Sequence, residues 1–94
     1  MLNITKNQEG EKLTVALEGR LDTTTAPELE SELKASLDGI KALTLDFEKL
    51  EYISSAGLRV LLSTQKTMMN QGEMVLIHVG EAISEIFEDR KSVV

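Results

Sequence analysis

The run Tyr52-Ile53-Ser54-Ser55-Ala56-Gly57-Leu58-Arg59 carries the side chains with the most chemistry to offer. Two adjacent hydroxyls stand where an apolar, strand-like segment gives way to a helical pattern. A serine at such a junction caps the helix, its oxygen accepting a bond from an orphan N–H. The same place exposes a hydroxyl beside a positive helix end, so a phosphate on it meets N–H donors and a favourable dipole. The two roles are compatible. Asp22 and Asp46 each fall where a strand is expected to end near the serines, with backbone N–H groups as their ordinary partners. Arg59 is expected on a solvated helix face, available to a phosphate or to an acidic partner residue. A serine nucleophile needs an activating base. The sole histidine, His78, sits in the apolar run Met74 to Val79 and reads as a core or edge residue. One histidine and no cysteine give no metal site, and no glycine-rich nucleotide loop is present, so neither cofactor nor enzymatic turnover is expected.

Composition narrows the classes further. Ninety-four residues make one domain, 1–94, with 41% hydrophobic and 28% charged residues. With two Phe, one Tyr and no Trp, the core must come from Leu, Ile, Val and Met. The net charge is −6 and the basic residues never cluster, which argues against direct nucleic-acid binding. The start of the chain lacks the pattern of a signal peptide, and no apolar stretch reaches membrane-spanning length. A cytoplasmic location and no membrane partner are the expectation.

The elements that must position the serines follow from periodicity. Leu2 and Ile4 open a strand that turns at Gln8-Glu9-Gly10-Glu11, and Leu13, Val15 and Leu17 alternate in a second, giving a hairpin. Gly19-Arg20-Leu21-Asp22 reads as a break. Thr25 with Glu28 three residues on matches a capping box, with Pro27 in the first turn; Leu29, Leu33, Leu37 and Ile40 form one face and Gly39 the C-terminal cap. Leu43, Leu45 and Phe47 make a third strand, and 48–52 a loop. A second helix runs from Ser54 or Ser55 to about Asn70, with Leu58, Leu61, Leu62, Met68 and Met69 as its core face and Gly72 closing it. The run Met74 to Val79 predicts a parallel strand covered on more than one side. A short last helix presents Ile83, Ile86 and Phe87. The order β-β-α-β-α-β-α predicts an α/β fold: a small mixed sheet, an N-terminal hairpin plus parallel strands, with helices mainly on one side.

These blocks together resemble the STAS domain family, of the anti-sigma factor antagonist type. The resemblance rests on Leu43-Thr44-Leu45-Asp46-Phe47 with Tyr52 to Leu62, on Gly19-Arg20-Leu21-Asp22 with Ala26 and Leu29, and on Glu81-Ala82-Ile83 with Ile86-Phe87. It spans nearly the whole chain and implies a partner switch. The unphosphorylated antagonist would hold an anti-sigma factor that is also a serine kinase of the histidine-kinase-like ATPase fold. Phosphorylation of a serine opening the second helix would break that complex, and a PP2C-type phosphatase would reset it.

The family's common form reads Asp-Ser-Ser-Gly, with the acceptor next to glycine. Here Ser54 stands at the Asp position and Ala56 at the acceptor position. Either the acceptor moves one place, to Ser55, or this variant is not switched in the standard way; Ser55, the hydroxyl closest to the helix start, is the expected acceptor, with Ser54 second. The resemblance places Asp22, Thr23, Asp46, Ser54, Ser55, Ala56, Gly57, Leu58 and Arg59 on the partner-binding edge. The alternative it leaves open is a STAS subunit acting on another partner, in secretion, biofilm control or an ABC-type lipid transport complex. The chain also runs only seven residues past Phe87, so a short, frayed end is expected.

Overall fold

The computed structural model describes residues 2–81, 83 and 84. Strand β1 (Leu2–Glu9) turns tightly at Gly10-Glu11 into β2 (Lys12–Leu21), and the two pair antiparallel, Glu9 opposite Lys12 and Leu2 opposite Gly19. Gly10 has φ +61°, a left-handed backbone that glycine adopts without strain. Helix α1 (Ala26–Ser36) leads to β3 (Ala42–Ile53), and α2 (Ser55–Met69) leads to β4 (Glu73–Ile77). Both crossovers join parallel neighbours, and the sheet order is β1-β2-β3-β4.

One face of the sheet carries the core. Leu13, Val15, Leu17 and Leu21 of β2 and Leu43, Leu45, Phe47, Leu50 and Ile53 of β3 are all buried. Leu29 and Leu33 of α1 and Leu58, Leu61 and Met68 of α2 pack into the same cluster. The opposite face keeps polar residues such as Thr14, Asp46 and Glu48, so the helices lie on one side, as expected.

Several local expectations change. The segment 48–52 is not a loop: β3 continues through it to Ile53. Two register shifts against β2, between Ala16 and Glu18 and between Gly19 and Arg20, each place an extra residue on β3. They turn the period from two to three, with Phe47, Leu50 and Ile53 inward, and that hides the strand from an alternation test. Correspondingly, β2 runs through Gly19 and Arg20 to Leu21 without a break. Among the described residues β4 has only β3 beside it, and Val75 is 45% exposed, so they do not cover the strand on both sides.

The ends of α1 also differ. Thr25 is its N-cap but makes no side-chain cap bond, and the helix ends at Leu37, with Gly39 two residues beyond at φ +79°. On α2, Leu62 and Met69 point to solvent, 53% and 74% exposed, while Met68 is fully buried. Glu81, Ile83 and Ser84 are helical, and Ile83 joins the core. The expected contributions of Ile86 and Phe87, and the frayed end, lie outside the described residues.

Candidate functional site

The site is built where β2 and β3 end side by side. Leu21 pairs with Ile53, and the next residue, Ser54, donates its N–H to the Leu21 carbonyl at 2.8 Å. That bond brings the Asp22–Thr25 loop against the start of α2. Ser54 is the N-cap: its backbone is extended and its hydroxyl oxygen accepts from the Gly57 N–H at 3.3 Å. Ser55 is the first residue of the helix and is exposed. Ser54 is thus half-buried and holds the cap, while Ser55, one position on, is exposed.

Asp22 organises the neighbouring loop. Its Oδ1 accepts from the Thr24 N–H at 3.0 Å, the Thr25 N–H at 3.1 Å and the Thr24 hydroxyl at 2.7 Å. These donors, the Thr24 hydroxyl first and the Thr25 N–H next, hold the carboxyl down to about 2. Asp22, not a Thr25–Glu28 box, therefore receives the donors before α1. The buried Thr25 belongs to the same network: its hydroxyl lies 3.2 Å from Asp22 Oδ1, donates to the Arg20 carbonyl at 2.9 Å and accepts from the Asp22 N–H at 2.8 Å. Thr23 is exposed between them.

Not every candidate reaches the edge. Gly57 and Leu58 are buried; a Cβ on Gly57 would lie 2.6 Å from the Leu21 side chain. They seat α2 on the sheet and set the height of the serines, without surface of their own. Ala56 is half-buried and Arg59 exposed. A shallow groove of about 390 Å³ runs between the helices, with Thr23 and Ala26 on one wall and Ala56, Arg59 and Ser63 on the other.

Asp46 lies elsewhere. It pairs with Ala16 and Ile77 in the middle of the sheet, on the face away from the helices, eight positions before Ser54. The two bulges take up two of those positions, so at about 3.3 Å per residue the separation along the strand is some 20 Å. Its Oδ1 accepts from the Glu48 N–H at 3.0 Å and meets His78 Nδ1 at 2.9 Å. His78 is not in a strand. It is exposed, with φ 55°, just past β4. Asp46, Glu48 and His78 each bring one ligand atom within 4.8 Å of the others, a grouping that counting histidines and cysteines could not reveal.

The Asp46 carboxylate raises the His78 pKa above 6.5, by hydrogen bonding first and charge second. The pair therefore supports the fold fully below about 6.5, and that support is lost as pH rises through the raised value. In an NMR titration Asp46→Asn is expected to bring the His78 ring back toward the ordinary histidine value. An unchanged midpoint would show that the pair does not persist in solution.

Sequence reasoning missed Arg20 and Tyr52. They face each other across β2 and β3, the guanidinium 4.4 Å from the ring centroid, at the same end of the sheet as the serines. The pairing becomes visible only once both strands are known to extend that far.

A one-sided, four-stranded α/β domain that presents an exposed serine at the capped start of its second crossover helix defines a class of small binding domain. Residues 3–91 match the model of the STAS domain, and the chain belongs to that family, in its anti-sigma factor antagonist type. BtrV of Bordetella bronchiseptica, named as an anti-sigma factor antagonist, is 38% identical over 89 residues, 93% of this chain and 77% of that protein. The crystal structure of an anti-sigma factor antagonist from Mycobacterium paratuberculosis superposes with a TM-score of 0.87 at 22% identity, covering 98% of this chain and 80% of that one. The phosphorylated form of the Bacillus cell fate determinant SpoIIAA superposes at 0.78 with 15% identity, covering 94% and 83%.

Proposed function

We propose that this chain is an anti-sigma factor antagonist that holds an anti-sigma serine kinase while unphosphorylated and lets it go when Ser55 carries a phosphate. The observation that carries the reading is one face of α2. Ser55, Arg59, Leu62, Lys66 and Met69 recur at helical spacing and are all exposed. Interface cores favour Met and Arg and are otherwise poor in charge. On a chain of net charge −6, a stripe with two large apolar side chains and two cations suits a partner surface that is apolar and acidic.

The switch residue stands at the end of that stripe. A phosphoserine adds roughly −1.5 to −2 charges. Set in an interface without a basic partner, that charge meets desolvation and like-charge repulsion. Asp22, Thr23 and Ala56 flank the serine and complete the contacted edge; Gly57 and Leu58 support it from beneath. Ser54 remains the second acceptor, since a phosphate there would cost the cap. A PP2C-type phosphatase resets the cycle, in the cytoplasm. The protein itself binds and is modified, and turns nothing over. No described helix is long and apolar enough to cross a membrane.

The test is phosphopeptide mapping of the protein from its own cells, on the tryptic fragment Leu50 to Arg59. One phosphate on Ser55, absent from Ser55→Ala, is the expected result. A fragment unmodified through growth, stress and stationary phase would overturn the switch.

A further inference from the structure

We propose that Arg59 is the built-in counter-ion of a phosphate on Ser55, closing an ion pair along the first turn of α2 within the antagonist itself. The use of this pair in cells rests on the functional reading above. Its geometry rests on four observations.

Ser55 and Arg59 are four residues apart on one helix, which puts their Cβ atoms about 5–6 Å apart on a common face. The order is the favourable one, the anion N-terminal to the cation. Arg59 is exposed, and among the described residues its side chain makes no ion pair or hydrogen bond. The other cation at this edge, Arg20, is stacked over Tyr52. Finally, α2 has no acidic residue in its first turn, whereas α1 has Glu28 there. The positive end of α2 therefore lacks the negative charge that the other crossover helix carries, and a phosphate on Ser55 supplies it. The planar guanidinium can take two phosphate oxygens at once.

The consequence is a switch with two effects from one modification. The phosphate adds negative charge at the head of the exposed stripe, and it also withdraws the Arg59 cation from that stripe. A partner that reads Arg59 loses its contact while gaining a repulsive neighbour.

The test uses the full chain with phosphoserine installed at position 55 during translation and a ³¹P NMR titration of the phosphate. The native sequence is expected to show a second phosphate pKa about 0.3 unit below that of Arg59→Gln, a free-energy difference of the size of one exposed helical ion pair. Arg59→Lys should fall between them, 1 M salt should shrink the gap, and Arg20→Gln should leave the titration where it was. Identical titrations for the native protein and Arg59→Gln, or an equal displacement by Arg20→Gln, would overturn the pairing. Because no kinase is involved, this result is independent of whether cells modify Ser55.

Discussion

Replacing Gly72 with alanine is expected to cost about 3 kcal/mol of folding stability, the upper range for forcing atoms into a packed site. That is a large share of the 5–15 kcal/mol typical of a small domain. Gly72 is not in a left-handed conformation; the reason is close approach. An alanine Cβ there would fall on the Lys41 backbone, 2.5 Å from its carbonyl carbon and closer still to the oxygen. Neither side can yield cheaply. Lys41 and Ala42 donate their N–H groups to the Glu11 carbonyl at 2.8 and 3.2 Å, and the Lys41 oxygen accepts from the Glu73 N–H at 2.9 Å. The Gln71 amide holds the Leu37 and Ile40 carbonyls, both at 2.7 Å. The turn after α2 is thus stapled to the link before β3, and moving either strains several bonds. Urea unfolding is the measurement. Gly80→Ala, where a Cβ would meet nothing within 4 Å, is the control and should stay within about 0.5 kcal/mol of the parent. Gly57→Ala should fall between them, because its obstacle is the Leu21 side chain and not backbone. If Gly72→Ala unfolds like Gly80→Ala, the two segments do not approach so closely in solution.

Gly72 also illustrates what the sequence could and could not convey. Its place at the end of α2 was legible, since glycine after a helical pattern is a stop signal. The reason for it was not, because Lys41 lies 31 positions away and only the folded sheet brings the two together. The same division runs through the molecule. The hairpin, both helices and the serine cap follow from local periodicity and turn chemistry. The length of β3 does not, because its two bulges replace a period of two by one of three over Phe47, Leu50 and Ile53. That one misreading as a loop hid the Arg20–Tyr52 pair and put Asp46 too near the serines. The core face of α2 was read half a stripe too wide: Met68 is buried, while Leu62 and Met69 share an exposed face with Ser55 and Arg59. Leucine and methionine at helical spacing look the same whether they fill a core or await a partner.

Ser55→Asp is expected to weaken binding of the anti-sigma factor at least 100-fold while leaving the domain as stable as the parent or slightly more so. The opposite signs make the result diagnostic. At the first position of α2 a carboxylate lies at the positive helix end and one turn before Arg59, which together favour the folded state by up to about 1 kcal/mol. In the complex the same carboxylate must lose water at the head of the exposed stripe, and a loss of about 2.7 kcal/mol there corresponds to the 100-fold drop. Ser54→Ala should do the reverse. It removes the oxygen that accepts from Gly57, costing about 1 kcal/mol of stability, and leaves Ser55 for the partner. Thermal unfolding beside a titration with the captured partner measures both quantities on the same samples. If Ser55→Asp binds like the parent while Ser54→Asp does not, the acceptor is the capping serine, and the outward face of α2 is not where the partner is held. If neither variant loses affinity, the serines do not control binding at all, and the switch must lie elsewhere on the chain.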